Sequence, residues 1–267
     1  MNRFHPVPSE GAPPFIIAHR GISAKAPENT LASFLLARDS PGIDMVELDV
    51  HLSKDQEVIV LHDRTLQRTT TGNGPARSYS LNELREFDAG SWFHPRFATE
   101  RIPTLGDVLT ALSGKRWVNI EIKSHLFHRE PDGLLERRVT EVVSECNMGE
   151  QVMYSSFDHH LLASLKHTNP GAITGVLYNL YRDFGKRPSK IARTTGASIF
   201  VCAKHELTRA MVADAHAHRL AIYVYTLNSV ADARRMLELN VDGIISDNAD
   251  DIVSLVKSND IRPGSSR

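Results

Sequence analysis

Val46-Glu47-Leu48-Asp49-Val50 constrains this chain more than any other stretch. It is apolar, yet it carries two carboxylates two residues apart. Side chains on a β-strand alternate faces, so Glu47 and Asp49 point one way while Val46, Leu48 and Val50 point the other. Two carboxylates side by side on a buried strand repel each other and are costly to desolvate. Two arrangements relieve that cost. Arg or Lys partners can form a structural ion-pair network, or a hard cation such as Mg²⁺ or Ca²⁺ can take both oxygens as ligands.

Bulk properties narrow the class. The 267 residues carry 41% hydrophobic and 24% charged side chains, ordinary for a globular protein. A formal net charge of -1 gives no basic footprint for nucleic acid. Cys146 and Cys202 offer neither a disulfide framework nor metal-ligand spacing, and both read as small buried apolar residues. The start of the chain lacks the charged-then-apolar pattern of a secretory signal, and no apolar run is long enough to span a bilayer. A cytoplasmic protein without stable membrane insertion is expected.

Read in order, residues 1–14 are a proline-rich flexible lead-in. Phe15–Ala18 is a short buried strand ending in His19-Arg20-Gly21, and a helix capped by Asn29 or Thr30 follows. The Glu47/Asp49 strand comes next. Residues 51–103 break the rhythm and read as an insertion: a strand over 58–61 ending in His62-Asp63, a Thr/Gly loop over 69–75, and a capping-box helix start at Ser80. Helix and strand then alternate. Further strands are expected over 117–123, 151–155, 172–177, 198–202, 221–225 and 243–246. Helices are expected over 104–112, 131–146 and 158–166, and near 190, 207–218, 230–239 and 248–256. Eight apolar strands separated by amphipathic helices make a (β/α)₈ TIM barrel with a small insertion after the second strand, one domain over 15–257, with a flexible tail over 258–267. A doubly wound sheet would show a Gly-rich nucleotide turn, and none is present.

A barrel's site lies at the carboxyl ends of its strands, and polar residues gather there. His19 and Arg20 end the first strand, Glu47 and Asp49 the second, His62 and Asp63 the insertion strand, and Glu121 and Lys123 the third barrel strand. Lys204 and His205 follow the sixth, Tyr225 closes the seventh and Asp247 follows the eighth. Glu47, Asp49 and Glu121 supply three carboxylates for one divalent cation, Mg²⁺ or Ca²⁺. Arg20 and Lys123 suit a phosphate oxyanion. His19 and His62, with ordinary pKa values near ~6.5, can serve as general acid and base. Together these describe phosphodiester cleavage. Asp63 reads as orienting His62 or capping a turn. The other eleven histidines, including His159 and His160, read as structural, with His51 open because it continues the face of Glu47 and Asp49.

These residues occur within longer matches. His19-Arg20-Gly21, Pro27-Glu28-Asn29-Thr30, Glu47-Leu48-Asp49-Val50 and His62-Asp63 resemble the signature of the glycerophosphodiester phosphodiesterase family. So do Leu66-Gln67-Arg68-Thr69-Thr70, Arg101-Ile102-Pro103-Thr104-Leu105, Asn119-Ile120-Glu121-Ile122-Lys123 and Ser155-Ser156-Phe157-Asp158. The resemblance runs from Ile16 to Asp250. It implies a TIM barrel with this insertion that hydrolyses glycerophosphodiesters to glycerol 3-phosphate and an alcohol with a divalent cation. It also implies Glu47, Asp49 and Glu121 as metal ligands, His19 and His62 as the acid/base pair, and Arg20 and Lys123 as phosphate contacts. Where many members have Trp in a Trp-Thr-Val-Asn stretch, this chain has Tyr225-Thr226-Leu227-Asn228, so Tyr225 would face the glycerol carbons. Phe157 is a further lining candidate. A lysophospholipase D with the same site and a non-catalytic phosphodiester-binding barrel are the alternatives, and the oligomeric state is not legible.

Overall fold

In a computed structural model, His5, Pro8 and residues 12–123 and 133–257 are described. Most of the expected lead-in, residues 131–132 of the expected helix start, and the tail over 258–267 lie outside them. Nine strands form one sheet: β1 Phe15–His19, β2 Met45–Leu52, β3 Val58–Val60, β4 Trp117–Ile122, β5 Val152–Ser156, β6 Thr174–Leu177, β7 Ile199–Ala203, β8 Ala221–Tyr225 and β9 Gly243–Ser246. All but β3 are parallel to their neighbours, in the order β1-β2-β4-β5-β6-β7-β8-β9, and β9 pairs back onto β1. This is a closed eight-stranded parallel barrel. β3 lies antiparallel along the far end of β2, outside the ring. The strands read as nearly unbroken apolar runs because helices cover the outside and side chains fill the inside.

The helices are α1 Leu31–Asp39, α2 Leu81–Leu84, α3 Leu105–Leu112, α4 Leu134–Glu145, α5 His159–Thr168, α6 Leu180–Asp183, α7 Pro188–Thr195, α8 Arg209–Ala217, α9 Val230–Glu238 and α10 Ala249–Lys257. Val46, Leu48 and Val50 pack outward with Val118, Ile120 and Ile122 beneath this helical layer. The barrel interior is a separate cluster of Ile17, Met45, Met153, Leu177, Ile199, Val201, Ala221, Tyr223 and Ile245. It fills the lower barrel and leaves the inward positions nearest the carboxyl ends to polar residues. The insertion has its own small core around Ile59, Leu66, Leu84 and Ile102.

Three expectations need correction. Neither Asn29 nor Thr30 caps α1 by its side chain. The Thr30 hydroxyl donates to Pro27 O instead, and Asn29 turns to Asp49. The single helix expected near Lys190 is two, α6 and α7, separated by Phe184-Gly185-Lys186-Arg187. Cys202 is fully buried, but Cys146 is only partly so.

Candidate active site

Strand register brings the carboxylates together. Within the parallel sheet His19 stands beside Glu47. Asn119 also stands beside Glu47, and Glu121 beside Asp49. One oxygen from each of Glu47, Asp49 and Glu121 lies within 4.8 Å of the others. Glu47 and Asp49 are almost completely buried. Burial, and then the charge of Asp49, push the Glu47 carboxyl up to about 8. Burial would also raise Asp49, but Lys123 and Arg20 outweigh it and hold that carboxyl well below the usual range. Lys123 Nζ lies 2.8 Å from Asp49 Oδ1 and 2.5 Å from Glu121 Oε1, and Arg20 Nε lies 3.3 Å from Asp49 Oδ2.

Two cations therefore serve Asp49 and Glu121, while Glu47 is left short. Its Oε2 accepts the Arg20 backbone N–H at 3.0 Å, but its buried Oε1 has no hydrogen-bond partner among the described residues. A buried acceptor left unpaired is costly. An all-oxygen set with one such acceptor fits a hard divalent cation, which would also reverse the rise in the Glu47 pKa.

The loop after β1 is shaped for this contact. Arg20 takes a left-handed backbone conformation (φ 57°), and its carbonyl accepts from Asn29 N and Ser33 Oγ. Asn29, also left-handed (φ 56°), donates from Nδ2 to Asp49 Oδ2 at 2.8 Å. Strained backbone of this kind persists only where surrounding bonds fix it.

Each histidine is held by its Nδ1. His19 Nδ1 bonds Asp247 Oδ1 at 2.6 Å, and Asp247 is itself held by Ser23 Oγ at 3.0 Å and Asn228 Nδ2 at 2.5 Å. That leaves His19 Nε2 facing the carboxylates, 4.0 Å from Glu47 Oε2. His62 Nδ1 bonds Asp63 Oδ1 at 2.6 Å. Asp63 is bonded by Arg68, Arg68 by Glu28, and Glu28 by Arg20, so the network returns to Asp49. His51 Nε2 donates to His62 O at 3.1 Å, so it steadies the backbone under His62. The two rings are tuned in opposite directions. Burial would lower His19, but Asp247 and Glu47 raise it overall. Burial lowers His62 and prevails over the Asp49 charge.

The remaining candidates divide. Tyr225 and Phe157 are partly exposed and pack on top of the barrel-interior cluster. The Tyr225 hydroxyl has no protein partner among the described residues. Lys204 turns away to Asp232 at 2.6 Å, and His205 is exposed, so these two do not join the site. Glu28, Asn29 and Arg68 do join it, although their residue types alone do not single them out. The signal was their presence in the Pro27–Thr30 and Leu66–Thr70 matches, where a capping role for Asn29 obscured its bond to Asp49. For Asp247 the sequence signal is only its place after the eighth barrel strand.

The chain is similar to several known phosphodiesterases. Residues 19–251 match the glycerophosphoryl diester phosphodiesterase family. A glycerophosphodiester phosphodiesterase of Caldanaerobacter subterraneus is 35% identical over 243 residues, 91% of this chain and 97% of the relative. Among solved structures, a phosphodiesterase of Oleispira antarctica in complex with the product sn-glycerol-3-phosphate superposes with a TM-score of 0.84 at 29% identity, covering 92% of this chain and 98% of that one. A glycerophosphodiester phosphodiesterase of Agrobacterium tumefaciens gives a TM-score of 0.78 at 32% identity over 90% of this chain and 99% of that one. Among the described residues no helix is long and apolar enough to cross a membrane. The chain belongs to the glycerophosphoryl diester phosphodiesterase family and is an enzyme of that class.

Proposed function

We propose that this chain hydrolyses glycerophosphodiesters to glycerol 3-phosphate and an alcohol, with His19 and His62 as the acid/base pair and Glu47, Asp49 and Glu121 as ligands for one Mg²⁺ or Ca²⁺. One observation carries the reading: three converging carboxylates, one with a buried oxygen that has no hydrogen-bond partner among the described residues, lie beside two histidines each oriented by its own aspartate. The product complex of the Oleispira relative supports glycerol 3-phosphate as the shared product. Neither a lysophospholipid substrate nor a non-catalytic barrel is favoured by the comparisons. A single domain over 15–257 and a cytoplasmic location belong to the same reading and rest on the sequence pattern.

When bound, the cation supplies charge neutralisation at a phosphate oxygen. Arg20 and Lys123 add positive charge on the same side, where negative charge builds in the transition state. With Nδ1 of each ring engaged, Nε2 is the nitrogen that exchanges a proton with the reacting groups. One histidine accepts the proton of the attacking hydroxyl, from water or the neighbouring glycerol carbon, and the other protonates the departing alcohol. Tyr225 and Phe157 present apolar faces for the glycerol carbons.

The test is turnover by His19→Ala and His62→Ala. General acid–base catalysis contributes roughly 10²–10⁴-fold, so each variant should lose kcat by about that factor with its thermal unfolding unchanged. Near wild-type kcat in either variant refutes its assignment.

A further inference from the structure

The loop between β6 and α7 carries a surface that hydrolysis does not use. Tyr181 is 97% exposed and Phe184 80%, and Leu180 beside them is 41% exposed. Their exposure is built into the loop. Asp183, fully buried, accepts the Asn179 N–H, Arg182 Nη2 at 3.0 Å and Lys186 Nζ at 3.1 Å. Arg182 Nη1 also donates to Phe157 O at 2.5 Å, which ties the loop to the mouth of the barrel. The segment is pinned from below while its two aromatic rings face outward. Two large aromatic side chains this exposed, on a segment held this firmly, call for a partner.

Charge indicates which partner. Over residues 180–190 the cations are Arg182, Lys186, Arg187 and Lys190, all exposed, against the single buried carboxylate of Asp183. Arg187 and Lys190 have no carboxylate partner among the described residues. The insertion carries a second such element on the same carboxyl-end face. There Trp92 is 41% exposed, with exposed Arg96 and Arg101 nearby, and Arg96 reaches back to Lys25 O in the loop after β1. Local positive charge with outward aromatics, on a chain of net charge -1, matches an anionic lipid surface. Such a surface takes aromatic rings at the headgroup level and attracts Lys and Arg.

We propose that the α6 loop, with Tyr181 and Phe184 as anchors and Arg187 and Lys190 as electrostatic contacts, is a peripheral docking site for an anionic lipid bilayer. The substrate chemistry accords with this. A glycerophosphodiester is a phospholipid without its acyl chains, so deacylation at a membrane is the class of reaction that supplies it. Docking at this loop holds the barrel mouth beside that source.

Co-sedimentation of the full chain with vesicles tests the idea. The vesicles are phosphatidylcholine alone, or an equal mixture of phosphatidylcholine and phosphatidylglycerol. Because binding is read without turnover, failure here leaves the hydrolysis reading untouched. Each basic residue near an anionic surface strengthens attachment by roughly fivefold. Wild type should therefore bind the mixed vesicles at least about tenfold more tightly than the neutral ones, and less so at high salt. Tyr181→Ala/Phe184→Ala and Arg187→Glu/Lys190→Glu should each lose at least about tenfold in binding while keeping wild-type turnover of a water-soluble diester. No binding of wild type to the anionic vesicles overturns the proposal, as does binding as tight as wild type's by either double variant. A dimer in light scattering that Tyr181→Ala/Phe184→Ala dissociates also overturns it, since it would assign the patch to a second copy of the chain.

Discussion

Asp247 reaches His19 from just past the end of β9, the strand next to β1, and Ser23 and Asn228 fix its carboxylate in turn. A carboxylate held this firmly sets the ring's orientation and keeps the proton on Nδ1. Asp247→Asn should lower kcat by about 10–100-fold with little change in KM, measured at saturating metal. An unchanged kcat would remove Asp247 from the positioning role. Asn29 acts one step behind the carboxylates, with Nδ2 on Asp49. Asn29→Ala should weaken metal affinity by roughly 10–100-fold, read as the cation concentration giving half-maximal activity. The sequence points to the candidate carboxylates because strands alternate faces, so residues at i and i+2 share one. It did not show Asn29 or the Asp63–Arg68–Glu28–Arg20 chain. Those contacts join loops far apart in sequence, and no periodicity reports them.

The β1–α1 turn and the barrel interior are the elements under tightest steric control. Gly21 sits at φ 82°, and a Cβ there would lie 2.5 Å from Ser33 Oγ. Gly21→Ala should destabilise the protein by about 1–3 kcal/mol, seen as a lower urea midpoint, and should disturb Arg20 next to it. Inside the barrel a Cβ on Gly243 would lie 2.5 Å from the Tyr223 ring, without backbone strain. Buried strands were legible element by element because they are continuous apolar runs. The α6–α7 segment was not, since its outward Tyr181 and Phe184 break the helical pattern of apolar positions. The caps expected from Asn29 and Thr30 failed for a related reason. Each side chain found a partner other than the α1 N-terminus, Asp49 for one and Pro27 O for the other.

At the scale of the whole molecule, the barrel stacks an apolar interior beneath a charged mouth. Its three clustered carboxylates are a structural cost that a cation would relieve. A ligand that binds only the folded state stabilises it by RT ln(1 + [L]/Kd), roughly 2.7 kcal/mol at a hundredfold excess over Kd. Mg²⁺ or Ca²⁺ should therefore raise the thermal midpoint over that in EDTA, and Glu47→Gln should shrink the rise. Equal midpoints with and without every divalent cation tried would separate the carboxylates from a metal role. The most direct measurement is release of glycerol 3-phosphate from glycerophosphocholine by the purified chain in EDTA, Mg²⁺ or Ca²⁺. Release is expected with at least one of the cations and none in EDTA; equal release after complete chelation, or no release under any condition from folded protein, would contradict a metal-dependent phosphodiesterase.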